Sequence, residues 1–484
     1  DARGTRVARI VAVTVTYELA TFAARAEWSE LPSAAKDALK ARILDALGCA
    51  FGALEAQPIL AIRALIDDLG GRPCCALVGG GRTAPDRAAL FNGALVRYLD
   101  FNDSYLAPGE TCHPSDNIAA VLAAAEQTGQ SGRTLMTALA VAYQVQCRLS
   151  DEAPVRGRGF DHTTQLTCAA AAGVSRALGL DVDRTANAVA IAVTTSPALR
   201  VTRTGALSHW KGLAGPHAAL LGVQAALLAS RGVTGPPEAF EGNKGFVEAV
   251  SGPFSIDWRS EDFERVTRTS LKRYDAEVHA QSAIEGLLEL LSEHHLHDLS
   301  PRAVRRIEVD VFDVAYRIIG GGEEGDKTVV RTKEQADHSL PYMLAVTALD
   351  RQLMPEQYAP ERIVRHDVQE LLRRVVVRVD PALSARFPAE HACRVRVELA
   401  DGRTLVKDKR DYLGFATRPM PWDAVRAKFR SLSASQLTPD EQSGIVDAVS
   451  RLDDLDADVL CARIAAAAGR RPHNAYQRTP ECNP

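Results

Sequence analysis

The chain has 484 residues, 46% hydrophobic and 24% charged, enough for about two to four domains and a large core without disulfide or metal staples. Lys and Arg (57) nearly balance Asp and Glu (61), and the net charge of -4 argues against a nucleic-acid binder, which needs a basic stripe, while leaving room for a local cationic site. The nine cysteines, at 49, 74, 75, 112, 147, 168, 393, 461 and 482, form no Cys-x-x-Cys pair; this disfavours a disulfide scaffold, a structural zinc and a thiolate-held iron–sulfur cluster, and points to a reducing, cytosolic compartment.

No apolar run approaches the ~18 residues that span a bilayer, and the apolar stretch 10–15 is too short for a signal peptide. From Ser33 to Leu54, Leu39, Ile43, Leu44 and Leu47 recur at helical spacing behind Pro32 and Ser33. Ala-rich helical patterns follow at 118–126, 135–147, 167–178, 184–195 and 216–230, each before a Gly-containing break. Between about 300 and 409 the period changes to two. Ile307, Val309 and Val311 alternate with charged residues, as do Val375, Val377 and Val379 with theirs, while Cys393 to Leu399, Asp401-Gly402 and Leu405-Val406 read as a hairpin. Helical patterns at 280–293 and 339–349 interleave with these strands. Thr438-Pro439-Asp440-Glu441 is a capping box opening another helix, and the last dozen residues read as a loose tail. The expected fold is mainly α: a large helical domain from both chain ends (1–268 and 410–484) and a smaller α+β domain (269–409) between them.

Two familiar signatures fail on context. Gly79-Gly80-Gly81 fits a relaxed dinucleotide pattern, with Asp100 about 20 residues on, yet no second parallel strand follows. Ser208 and Lys211 match Ser-x-x-Lys and Ser115-Asp116-Asn117 matches Ser-Asp-Asn, but in reversed order and without Lys-Thr-Gly. The stretch 98–117, YLDFNDSYLAPGETCHPSDN, is more informative. If its start is helical, Asp100, Asp103 and Ser104 share a face. Pro114 bends the chain at His113, and Ser115 can cap the helix that follows, leaving His113 beside a helix N-terminus where a substrate carboxylate is welcome and a neutral imidazole is favoured. The alternative is a pair of Asx-type turns with a structural histidine. Three further polar clusters interrupt apolar context: Asp161-His162; Arg203, His209, Lys211 and His217 around a Gly-rich loop; and Lys272, Arg273, Glu277 and His279 where the helical part gives way to the α+β part.

At these residues the sequence resembles the MmgE/PrpD family. The resemblance runs through ILDALGCAFGAL (43–54), LFNGALVRYLDFNDSY, HPSDN, DHTTQ, SLKRYDAEVHAQSAIE and TKEQADHSLPYMLAV (332–346). It implies the helical domain with an α+β lid, a homodimer, and catalysis on a tricarboxylate without metal or other cofactor. By motif it places Asp100, Ser104, His113 and His162 among the catalytic positions, and Lys211 and Lys272 among the substrate-binding ones; apart from the motif, Arg203 and Arg273 are further candidate cations for the substrate carboxylates. Ser104 stands where decarboxylase members carry Thr, and the EVHAQSAIE wording is more like the dehydratases. The activity so implied is dehydration of 2-methylcitrate or a close tricarboxylate, which needs a base for the C–H proton, cations for the developing charge and an acid for the departing hydroxide. Decarboxylation of cis-aconitate on the same scaffold is the nearest alternative, and a non-catalytic ligand-binding relative is another.

Overall fold

The computed structural model describes residues 14–297, 299–322 and 325–466; the apolar stretch at 10–13, the C-terminal tail and Cys482 lie outside the described residues. The N-terminal part is built from helices α1 (Val15–Arg25), α2 (Ser33–Gly52), α3 (Gln57–Leu69), α4 (Pro85–Tyr98), α5 (Ile118–Gln127), α6 (Gly132–Glu152), α7 (Thr163–Ala177), α8 (Val182–Thr195) and α9 (Trp210–Ser230). Local chemistry sets several of their starts. Prolines occupy the first turns of α3 and α4, where a missing N–H costs nothing. The side chains of Thr14, Ser131 and Asp181 cap α1, α6 and α8. Gly79, Gly80 and Gly81 all have positive φ and turn a two-stranded antiparallel ribbon pairing Cys75–Ala76 with Arg82–Thr83. They make a tight turn, in keeping with the rejected dinucleotide reading.

Helix α9 departs from expectation. Its 21 residues are long and apolar enough to cross a bilayer by length and composition, although the sequence pattern showed helix only from 216. It nevertheless packs among α4, α7 and α8. Small residues allow that close approach: a Cβ on Gly222 would lie 2.6 Å from the Ala170 Cβ of α7. This is the environment of a core helix.

After residue 272 come α10 (Gln281–Glu293), β1 (Val304–Val311), α11 (Leu340–Asp350), α12 (His366–Leu372), β2 (Val375–Val379), β3 (Cys393–Leu399) and β4 (Thr404–Lys409). The sheet order is β2-β1-β3-β4; β1 and β2 are parallel, and the other neighbours are antiparallel. The β3–β4 hairpin turns at Asp401-Gly402, with Gly402 at φ 94°. Alternation buries Ile307, Val309, Val395 and Val397; α10 packs on β3 and β4, and α11 on β2 and α10. The chain then returns through α13 (Trp422–Ser433), α14 (Pro439–Ser450) and α15 (Ala457–Ala466). The capping box forms as the sequence requires, with Thr438 and Glu441 exchanging bonds across the first turn of α14.

Two apolar cores result. One unites α1 through Leu271 with residues Val425 to Ile464, and the other lies within 274–405. Phe429 of α13 lies against Gly48 of α2, where an added Cβ would come within 3.1 Å of the Phe429 Cα. Both ends of the described chain therefore build one helical core, with a smaller α+β unit between them.

Candidate active site

Helix α4 stops at Tyr98, and Asp100 takes a left-handed backbone with φ 60°. Asp100, Asp103 and Ser104 consequently do not share a helix face, contrary to the helical reading of this stretch. Ser104 instead pairs with Ser270 in an antiparallel bridge, through N–H···O contacts of 2.9 and 2.7 Å. Asp103 turns away from Asp100. Its carboxylate accepts the Ser115 N–H at 3.0 Å and the Tyr143 hydroxyl at 3.0 Å. Asp103 thus caps the turn at Pro114–Asn117, the role expected of Ser115, whose hydroxyl is taken by Asn102 Nδ2 at 2.9 Å. Non-local capping of this kind has no signature in sequence spacing.

His113 does sit in the bend before that turn. Its Nδ1 lies 2.8 Å from the carbonyl oxygen of Asp103 and 3.2 Å from Ser104 Oγ. A carbonyl only accepts, so Nδ1 carries the hydrogen and Nε2 keeps its lone pair. Burial first, then the neighbouring Arg97 and Lys272 charges, hold His113 well below the usual histidine pKa, so the ring is neutral. The His162 ring stands edge-on to it, with centroids 5.4 Å apart. His162 is buried, neither of its ring nitrogens has a hydrogen-bond partner, and burial brings its pKa down to about 3.

The cations are tied to carboxylates. Burial alone would raise the Asp100 pKa, but Arg97, Lys272 and Lys211 outweigh it and hold the group well below the carboxylate range. Arg97 donates to Asp100 Oδ1 at 2.7 Å, Lys272 to the same oxygen at 2.8 Å, and Lys211 Nζ is 3.4 Å from Oδ2. Lys272 also donates to the Asp100 carbonyl and is fully buried. It braces Asp100 from behind and does not line the cavity described below. Arg203 bonds to Asp161 at 2.7 Å and to the Lys211 carbonyl at 2.9 Å, knitting the Gly-rich loop to the His162 turn.

Arg273 does not join this group. The chain bends at Arg273, so while Lys272 points inward, Arg273 lies exposed over the Tyr274 ring. It lines a separate cavity of ≈ 810 Å³ between α10 and α13. His209 and His217 likewise stay outside the His113 cavity, whose lining includes Arg97, Asp100, Glu110, His113, His162, Arg203, Glu277, Ile318 and His338.

Four of these residues were not singled out by spacing as site groups: Arg97, Glu110, Ile318 and His338. Arg97 lies on α4 yet is almost fully buried, which a lone helical arginine does not announce. Asp337 and His338 precede the Ser339-capped, proline-containing start of α11, a local arrangement like His113-Pro114 that could have flagged them. Lys211 Nζ contacts Asp337 Oδ1 at 2.6 Å and His338 Nδ1 at 2.9 Å. The second Asp337 oxygen accepts from Lys333 at 2.8 Å. Asp100, Asp337 and His338 have the spacing of metal ligands, but the Lys211 ammonium stands among their donor atoms. Glu277 is held by the ring and backbone N–H of His279, at 2.7 and 2.8 Å. Burial would raise its pKa; His279 brings it to about 2.

The cavity is only ≈ 40 Å³, far below the ~300 Å³ of an ordinary ligand pocket. One wall comes from the helical unit and the other, with Glu277, Ile318 and His338, from the α+β unit. Histidines, arginines and carboxylates thus surround a small space whose lining is mostly buried, an arrangement suited to proton transfer on an anion.

The chain is similar to 2-methylcitrate dehydratase of Cupriavidus necator, 29% identical over 445 residues covering 86% of this chain and 89% of the relative. Against 2-methylcitrate dehydratase of Salmonella typhimurium it is 27% identical over 441 residues, covering 84% and 87%. Against cis-aconitate decarboxylase of Mus musculus it is 26% identical over 405 residues, covering 78% of each. The MmgE/PrpD N-terminal domain matches residues 17–259 and the MmgE/PrpD C-terminal domain matches 274–454. With both domain models matched in order along it, the chain belongs to the MmgE/PrpD family.

Proposed function

We propose that this protein is a lyase, specifically a hydro-lyase that dehydrates 2-methylcitrate or a close tricarboxylate to 2-methyl-cis-aconitate by acid/base elimination. The observation that carries the reading is His113, neutral and presenting Nε2 as an acceptor, in a cavity lined by Arg97, Arg203 and two further histidines. The similarity to named dehydratases supports the substrate class.

In this reading His113 Nε2 removes the proton α to a substrate carboxylate. Arg97, Arg203 and the Lys211 charge stabilise the negative charge that develops there. Asp100 and Lys272 hold the cations in place, and Ser104 fixes the His113 ring. His162 is the second site histidine, and its unpartnered nitrogens suit a substrate carboxylate or the departing hydroxyl. No step uses a metal, because the Lys211 ammonium already supplies a positive charge among Asp100, Asp337 and His338. The cavity's small volume means that the α+β unit opens to admit substrate and closes to exclude water. A homodimer and a reducing compartment belong to the same reading.

Decarboxylation of cis-aconitate is the second reading, favoured by the similarity to the mouse enzyme and needing the same cationic cradle. Incubation with each acid separates the two. Conjugated-alkene absorbance growing in with 2-methylcitrate supports the dehydratase, whereas carbon dioxide released from cis-aconitate, without that absorbance, overturns it.

A further inference from the structure

Elimination of water needs a proton delivered to the leaving hydroxide, and His162 is poorly placed to supply one repeatedly. Its two ring nitrogens make no hydrogen bond among the described residues. A neutral ring that gave up its proton there would become an imidazolate, and Asp161, 3.8 Å from Nε2, is kept ionised against the effect of burial by Arg203 and has no proton to return. His338, across the same cavity, is backed differently.

His338 Nδ1 faces two groups, Lys211 Nζ at 2.9 Å and Asp337 Oδ1 at 2.9 Å. It can satisfy only one of them, because a single ring nitrogen either carries a hydrogen or accepts one. The Lys211 ammonium decides the matter. Its N–H bonds have two partners at hydrogen-bond distance, Asp337 Oδ1 at 2.6 Å and His338 Nδ1 at 2.9 Å, and its charge also pairs with Asp100 Oδ2 at 3.4 Å. A hydrogen on Nδ1 would point one N–H at another and waste that donor. Asp337 needs no help from the ring, since Lys211 and Lys333 already neutralise it. This donor count favours a hydrogen on Nε2, which has no protein partner among the described residues, and His338 lines the cavity. His113 and His338 thus line one small cavity as opposite tautomers, the first with an Nε2 lone pair and the second with an Nε2–H.

We infer that His338 is the general acid of the reaction and that Lys211 is its proton source, so that the Lys211–His338 pair forms a relay to the departing hydroxyl. This deepens the proposed dehydratase reading and rests on it. The step balances. His113 Nε2 takes the C–H proton, the C–H electron pair becomes the second bond of the alkene, and the C–O bond breaks. The leaving oxygen takes the His338 Nε2 proton and departs as water. As it does, a proton passes from Lys211 Nζ to His338 Nδ1, so the imidazole changes tautomer and never becomes an anion. Lys211 ends as a neutral amine between Asp100 and Asp337, and His113 ends as an imidazolium. Reopening of the cavity lets solvent take the proton from His113 and deliver one to His338 Nε2, whereupon the Nδ1 hydrogen passes back to Lys211 Nζ and both groups are reset. Burial is the largest influence on Lys211 and lowers its pKa from the usual lysine range despite the two carboxylates, which favours its use as a donor.

The test separates acid from base by changing the leaving group. Fluoride leaves without full protonation, so an analogue with fluorine in place of the departing hydroxyl needs the base far more than the acid. His338→Gln should lower kcat on 2-methylcitrate by about 10²- to 10⁴-fold while fluoride release from the analogue stays within about tenfold of the unaltered enzyme, the span of a modest lost contact. Lys211→Gln removes both the proton source and a charge that steadies the developing anion, so it should slow both reactions with the larger loss on 2-methylcitrate, whereas His113→Gln should lose both reactions alike. Equal loss of both reactions in His338→Gln, or turnover of 2-methylcitrate close to the unaltered enzyme, overturns the proposal. A readout independent of activity is the ¹⁵N NMR tautomer of each ring: Nδ1–H is expected for His113 and Nε2–H for His338, and Nδ1–H on His338 refutes the relay. If the unaltered enzyme turns over neither compound while its histidines show these tautomers, the dehydratase reading itself is wrong and the acid assignment falls with it.

Discussion

At the level of single residues, the chemistry follows from which nitrogen of a buried histidine holds the hydrogen. The Asp103 carbonyl fixes that for His113, and burial beside Arg97 and Lys272 keeps the ring neutral well below the usual pKa of 6.5. A base works in its unprotonated form, so a lowered pKa extends activity toward acid. We therefore expect kcat/KM for 2-methylcitrate to stay level as pH falls through 6.5 and to decline only well below it. A pH–rate profile with an acid limb centred near 6.5 would rule out this environment for the base. Asp100 illustrates a different lesson. Its motif position was legible in the sequence, but its φ of 60° and its three cationic neighbours were not. The helical face expected for 100–104 fails because Ser104 finds a non-local partner in Ser270.

At the level of helices and strands, positions of the site residues depend on small side chains at crossings. Gly222 lets α9 meet α7, where a Cβ would also fall 3.0 Å from the Ala171 nitrogen and the Thr167 carbonyl. Backbone cannot give way as a flexible side chain does. Gly222→Val should destabilise the fold by ~1–3 kcal/mol, the range for overpacking. Because α9 begins beside Lys211 and α7 beside His162, the same change should lower kcat. Thermal unfolding together with turnover checks it, and a variant of unaltered stability would show that the crossing has slack. Many of the helices and the β3–β4 hairpin were readable from periodicity and turn residues. The parallel pairing of β1 with β2 was not, since those strands are more than 60 residues apart in sequence and only burial in one core brings them together.

Across the whole molecule, Lys428 ties together three distant parts of the chain. From α13 its Nζ reaches Asp45 of α2 at 2.7 Å, the Phe101 carbonyl beside Asp100 at 2.8 Å and the Lys272 carbonyl at the entry to the α+β unit at 2.9 Å. Burial is the largest influence on Asp45 and raises its pKa, with Lys428 opposing. Lys428→Met leaves that carboxylate buried and unpaired, at a cost of about 3–5 kcal/mol. The loss should be larger at high pH, where an unpaired Asp45 must be charged, than at low pH, where a proton replaces the lysine. Denaturant unfolding at several pH values measures it, and a pH-independent loss would argue against Asp45 as the cause.

The sequence by itself determined many of the elements, though not α1 or α3, the mainly α character with an α+β insertion, and most of the site's residue types, because periodicity, caps and motif wording are local. Which of those residues share a cavity was decided only by the tertiary structure. Neighbours in sequence part company, as Lys272 turns inward and Arg273 outward, while Asp100 and His338, more than 230 residues apart, face the same small space. The near-neutral net charge concealed this as well. Buried arginines and lysines paired to buried carboxylates cancel in any sum over the chain, and only their placement makes one cavity fit for an anion.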